Sequence, residues 1–206
     1  MIFYWELVEM RLDATEYLHL ALRAINTDDH HAALQYLTNA LELEPNHAIA
    51  HYLLAAEHAE LGLLERAASG MVQALQLAPN LDIAHFQLGL LYLQLNRLED
   101  AKVVFSNLLG VTNNHALTAF AHAFIAIINN NQAEAIHYLN QGIGVCDENP
   151  ALKNDMTRVM KNLTAKTDDA INTTPQTSIS VEESTTVKTE AMAVFLGAYR
   201  DSLEKL

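Results

Sequence analysis

The stretch NALELEPNHAIAHYLL, beginning at Asn39, returns as QALQLAPNLDIAHFQL, beginning at Gln73. Pro45 maps on Pro79, Asn46 on Asn80, Ala50 on Ala84 and His51 on His85, at an offset of 34 residues. Self-similarity at a fixed period of a few tens of residues constrains a chain more than any local pattern does. A unit that short cannot bury its own apolar face, so successive units must stack and share one continuous core.

Small and large side chains also recur at fixed places within each period. Residues 14–47 supply Tyr17, Leu20, Ala21, Ala33, Leu37, Ala40 and Pro45. Residues 48–81 supply His51, Leu54, Ala55, Ala67, Met71, Ala74 and Pro79. Residues 82–115 supply His85, Leu88, Gly89, Tyr92, Ala101, Phe105 and Leu108, with no closing proline. A fourth unit, 116–149, offers His122, Ala123, Ala135, Leu139 and Gly142, and Pro150 arrives late. The period and the Ala-Leu-x-Leu-x-Pro-Asn junction resemble the tetratricopeptide repeat (TPR). The fourth unit departs from that pattern in having His122 where Leu is usual. The resemblance implies an all-α superhelix of about four helix pairs. Composition agrees, because four prolines and seven glycines leave little of the turn chemistry that a sandwich or barrel needs.

Local signals fit the same division. Asp13 with Glu16, and Asn131 with Glu134, have capping-box spacing, in which a side-chain oxygen takes an orphan N–H and the acid answers back. Asn46, Asn80 and Asn114 stand where each can cap the helix that follows. Asn149 before Pro150 sets a cap and then a proline at the first helical position, where its missing N–H costs nothing. Residues 150–164, with Leu152, Met156, Val159, Met160 and Leu163 at helical spacing, are expected to form a capping helix over the open end of the stack. Residues 1–13 read as an N-terminal helix whose IFYW cluster is either a cap on the first repeat or an exposed contact patch. The Ser/Thr-rich stretch 165–188 has too few large apolar groups to offset chain entropy and reads as a flexible linker. Residues 189–206 return to helix character, with Met192, Phe195, Leu196, Tyr199 and Leu203 on one face of a separate amphipathic C-terminal helix.

The net charge of −13, with only twelve Lys and Arg, argues against nucleic acid or an anionic membrane as the main partner, since both demand clustered cations. One cysteine, Cys146, excludes an internal disulfide and suits a reducing compartment. The start, MIFYWELVEM, lacks the basic segment of a signal peptide, and the longest apolar runs are too short to span a bilayer. A cytoplasmic protein is the expectation.

The TPR resemblance implies that the first helix of each pair lines a concave surface, with the fifth, ninth and twelfth positions of each unit facing it. The fifth positions are Leu18, Tyr52, Phe86 and Phe120; the ninth are Leu22, Ala56, Leu90 and Phe124; the twelfth are Ile25, Ala59, Leu93 and Ile127. None is charged. TPR domains that hold acidic C-termini use Lys, Arg and Asn at such places, because a buried anion needs fixed cations. This groove is therefore expected to take an apolar helix or an extended apolar segment, with Phe86, Leu90, Phe120 and Phe124 as anchors and Tyr52 and Leu93 beside them. The occupant is a protein or peptide with an apolar segment, or the C-terminal helix itself, in cis or in a swapped dimer. The same side chains can equally pack between helices.

No Gly-rich phosphate loop, GxSxG, HExxH or CxxC occurs, and no cofactor is expected. His51 and His85 hold a position where the repeat places a large packing residue, which favours structural histidines over metal ligands. His30 and His31 read as solvated turn residues. The expectation is a non-enzymatic adaptor or scaffold. A secretion- or pilus-assembly chaperone and a self-associating module remain as alternatives.

Overall fold

The computed structural model describes residues 12–172, which form nine helices. These are α1 (Ala14–Asn26), α2 (His30–Leu43), α3 (Ala48–Glu60), α4 (Leu64–Leu77), α5 (Asp82–Gln94), α6 (Leu98–Val111), α7 (His115–Ile128), α8 (Gln132–Val145) and α9 (Pro150–Asn172). The dominant packing is within the pairs α1·α2, α3·α4, α5·α6 and α7·α8. The second helix of each pair then packs on the first helix of the next, and α9 closes on α8. This is the all-α stack of four pairs and a capping helix. The capping helix is longer than expected and continues to Asn172 instead of ending at 164. The segments 173–188 and 189–206, and residues 1–11, lie outside the described residues.

The turn inside each pair is built the same way four times. Asp28, Gly62, Asn96 and Asn130, one per period, adopt the left-handed conformation with φ of 57°, 73°, 59° and 57°. Gly, Asn and Asp are the residues that enter this region most cheaply. The following N–H then reaches back to close the first helix: Asp29 to the Ala24 carbonyl, Leu63 to His58, Arg97 to Tyr92 and Asn131 to Ala126. These bonds satisfy carbonyls that a helix end would otherwise leave orphaned.

Helix starts are less uniform. Asp13 and Glu16 make the reciprocal capping box, and Asn114 and Asn149 cap α7 and α9 with their side chains. Asn46 and Asn80 do not cap. The helix begins one residue later, so His47 is the N-cap of α3 and accepts from the Ala50 N–H through Nδ1. At α5 the N-cap is Leu81, whose own carbonyl accepts from the Ala84 N–H in a tightened first turn.

Histidines bind successive pairs together. His51 Nε2 donates to the Pro45 carbonyl at 2.8 Å, and His85 Nε2 donates to the Pro79 carbonyl at 2.9 Å. The third junction has neither the proline nor the histidine. Thr112, the C-cap of α6, instead donates through Oγ1 to Asp82 Oδ2 at the start of α5, at 2.8 Å, a bond within the third pair.

The core follows from close helix approach at small residues. An added Cβ at Gly89 would lie 2.5 Å from the Phe105 ring, and one at Gly142 would overlap the Phe120 ring. Gly110, near the end of α6, faces open space. Gly110→Ala should therefore raise stability by about 0.5 kcal/mol through helix propensity. The same change at Gly89 should lower it by about 1–2 kcal/mol through overpacking. Urea titration of the two variants checks the contrast, and equal effects would contradict the packing described.

Candidate functional site

The first helices of the four pairs, α1, α3, α5 and α7, carry the positions expected to line the concave face. At the N-terminal end these are partly open, since Leu18, Leu22 and Ala59 are half-buried and Ile25 is buried. Tyr52 and Ala56 on α3 are buried, as are Leu90 and Leu93 on α5. At the C-terminal end Ile127 is half-buried. The expected anchors Phe86, Phe120 and Phe124 are brought together, but around a fourth ring that was not assigned to the groove. Phe105, on α6, stacks on Phe124 at 5.4 Å and sits 6.0 Å from Phe86; Phe86 in turn contacts Phe120 at 6.3 Å and Phe124 at 5.9 Å. With 0–1% exposure, these rings knit pairs three and four together and offer almost no surface to solvent. The proposed tail positions Met192, Phe195, Leu196, Tyr199 and Leu203 lie outside the described residues.

Two polar side chains lie buried on the same helices. Glu57, in the last two turns of α3, is 1% exposed, and His30 Nδ1 at the start of α2 donates to its Oε2 at 2.8 Å. His30 is therefore not a solvated turn residue: it reaches across the first inter-pair joint to partner a buried carboxylate. Gln87, on α5, is fully buried. It lies against the Tyr52 phenol, which burial pushes well above its ordinary range while Gln87 pulls the other way. The sequence did carry a signal for both, a charged or amide residue within an otherwise apolar helix face.

The remaining histidines and the cysteine have packing roles. His122 stacks on Tyr138 at 4.8 Å, and His137 meets the same ring edge-on at 5.5 Å. His122 and Tyr138 border an open cleft of about 340 Å³ between α7 and α8, lined also by His115, Thr118 and Gln141. Among the described residues no three His, Cys, Asp or Glu converge as a metal site would require. Cys146 is buried beside the Asn149 carbonyl, and burial pushes its thiol up, away from the reactive thiolate. No helix among the described residues is long and apolar enough to cross a membrane.

The paired helices, the repeated left-handed turn and the small-residue contacts now stand beside a sequence match. Residues 17–47 and 83–115, within the first and third units, match the Tetratricopeptide repeat family. The chain contains tetratricopeptide repeats. No curated protein matches it. Solved TPR structures resemble its fold at low identity. PilF of Pseudomonas aeruginosa is 17% identical with a TM-score of 0.60, covering 93% of this chain and 89% of that one. MamA (residues 41 to the end) of Desulfovibrio magneticus RS-1 is also 17% identical, with a TM-score of 0.59 and coverage of 88% and 94%. YrrB, described as a TPR protein with an unusual peptide-binding site, is 16% identical with a TM-score of 0.56 and coverage of 94% and 93%. At such identities the likeness concerns the fold.

The His30–Glu57 pair makes a prediction about pH. The hydrogen bond to Glu57 holds the His30 imidazole above its usual range against the lowering effect of burial, and the charges of Glu57, Glu60 and Asp28 add to it. A group raised in the folded state stabilises fully below its unfolded value of about 6.5, and the contribution is lost as pH rises through the folded value. The wild-type denaturation midpoint should therefore fall from about pH 6 to about pH 8 relative to Glu57→Gln, which keeps the shape and removes the charge. His30→Ala should cost about 2 kcal/mol near pH 6, because it leaves a buried carboxylate without its donor. Parallel pH profiles for wild type and Glu57→Gln would count against the pairing.

Proposed function

We propose that this TPR protein is a non-enzymatic interaction scaffold whose concave face holds an apolar helical or extended segment by shape and hydrophobic contact. The observation that carries this reading is the composition of that face. No fifth, ninth or twelfth position on α1, α3, α5 or α7 is charged, and the buried carboxylate at the tenth position of the second unit, Glu57, is already engaged by His30. Such a surface has nothing to balance a terminal carboxylate or a phosphate. It fits an amphipathic helix with its apolar side turned inward. Because the rings of pairs three and four are committed to each other, Leu18 and Leu22 on α1, Ala59 on α3 and Ile127 on α7 are the side chains with surface left to offer. The peptide-binding site named for YrrB supports the reading by analogy of fold.

A fluorescent, uncharged-face amphipathic helix should bind the full chain. Its Kd should change less than about twofold between about 0.05 M and about 0.5 M salt, since no ion pair is screened. Leu18→Glu combined with Leu22→Glu should weaken binding by about tenfold, a loss of about 1.4 kcal/mol, without shifting the thermal melt. Fluorescence anisotropy reads both quantities. Strong salt dependence, or indifference to the double substitution, would refute an apolar concave site.

A further inference from the structure

The first joint departs from the repeat at one pair of positions. His30 opens α2, and Glu57 lies near the end of α3. One period on, the same two places hold Leu64 and Leu91; two periods on, they hold Leu98 and Ile125. Leu91 is buried, and Leu64, Leu98 and Ile125 are half-buried against the core. Where the later joints are aliphatic, the first sets an imidazole on a buried carboxylate, with His30 Nδ1 donating to Glu57 Oε2 at 2.8 Å.

The place of this contact matters as much as its chemistry. The covalent link between α2 and α3 is the segment 44–47, where His51 Nε2 donates to the Pro45 carbonyl. His30 stands at the other end of α2, whose 14 residues span about 20 Å. One end of the α2–α3 hairpin is thus pinned by the chain itself, and His30 and Glu57 clasp the open end.

We propose that the His30–Glu57 contact is a proton-operated latch, which holds the first pair against the second while the imidazole is charged and loosens as His30 gives up its proton. The groups around His30 set the direction. The hydrogen bond to Glu57 favours the imidazolium, burial opposes it, and the charges of Glu57 and Glu60 on α3 and of Asp28 in the preceding turn add to the favourable side. Asp29 caps α2 through the Ala32 N–H, α1 carries Arg23 in its last turn, and His31 is exposed. A histidine raised in this way stabilises the closed joint fully below its unfolded value of about 6.5, and the contribution is lost as pH rises through the folded value. His58, beside Glu57 in sequence, works in the opposite sense: burial and the Arg66 charge on α4 lower it, so its contribution is lost as pH falls. His30 is half-buried, so protons reach it while the joint is closed. Leu18 and Leu22 belong to α1 and move with the first pair, so the latch governs the N-terminal end of the concave face whatever occupies it.

Hydrogen exchange of the full chain, corrected for the intrinsic effect of pH, tests the latch. A released pair cannot bury its own apolar face and loses its amide protection. The amides of α1 and α2 should therefore form one unit, less protected than those of α5 to α8. Between about pH 6 and about pH 8 the protection of that unit should fall at least about threefold. His30→Leu with Glu57→Leu gives the first joint the aliphatic pair of the later ones, and should leave α1 and α2 equally protected at both pH values. Glu57→Gln alone should also flatten the profile, and His58→Gln should not. A level wild-type profile would overturn the latch, and so would equal protection of α1–α2 and α5–α8, which would report unfolding of the whole array. A pH dependence that survives the leucine pair, or one that vanishes with His58→Gln, would place the titrating group elsewhere and overturn it as well.

Discussion

The close approach of two helices within each pair underlies every other feature of the molecule. It depends on small residues recurring at matching places of each pair: Ala21 and Ala33, Ala55 and Ala67, Gly89 and Ala101, and Ala123 and Ala135. The alanines of this set are fully inaccessible to solvent. Gly70 shows how little room remains, since a Cβ there would come within 2.9 Å of the Ala55 Cβ. Helices held this near one another project their larger side chains outward, into the gap before the next pair. Leu37, Met71, Phe105 and Leu139 fill those gaps. The stack is thus a consequence of the pair, and the concave face is a consequence of the stack.

The fold was legible because its information is periodic. Position within the 34-residue unit predicted which residues are buried between helices, and one residue per unit, from Asp28 to Asn130, set the turn. Where the sequence misled, the cause was a competition that periodicity does not report. Asn46 and Asn80 are good capping residues, but the neighbouring His47 and Leu81 occupy the cap because the first turn is placed one residue later. His30 was read as solvated because its partner Glu57 is 27 residues away on a different pair.

The candidate site was harder to read for a related reason. The family pattern says which side chains point toward the concave face, and it does not say how deep they lie. Phe86, Phe120 and Phe124 take groove positions, yet the Phe105 ring draws them into a shared cluster. A ring pointing to the groove and a ring packed beneath it have the same helical position. Gln87 stood in plain view within an apolar helix, and only the structure shows it fully buried beside the Tyr52 phenol.

The joints between pairs are not alike, and this gives the array a direction. Near the N-terminus the first joint holds the aliphatic Leu37 and the His30–Glu57 contact, whose histidine is 36% exposed. Farther along, four aromatic rings lock pairs three and four. In a stack whose cohesion is a sum over neighbouring contacts, the weakest joint opens first. Pulled from both ends, such a molecule stretches like two springs in series, one soft and one stiff. The first pair swings away under a load that leaves the aromatic half intact, so tension applied by anything anchored to the N-terminus reshapes one end of the concave face and spares the other.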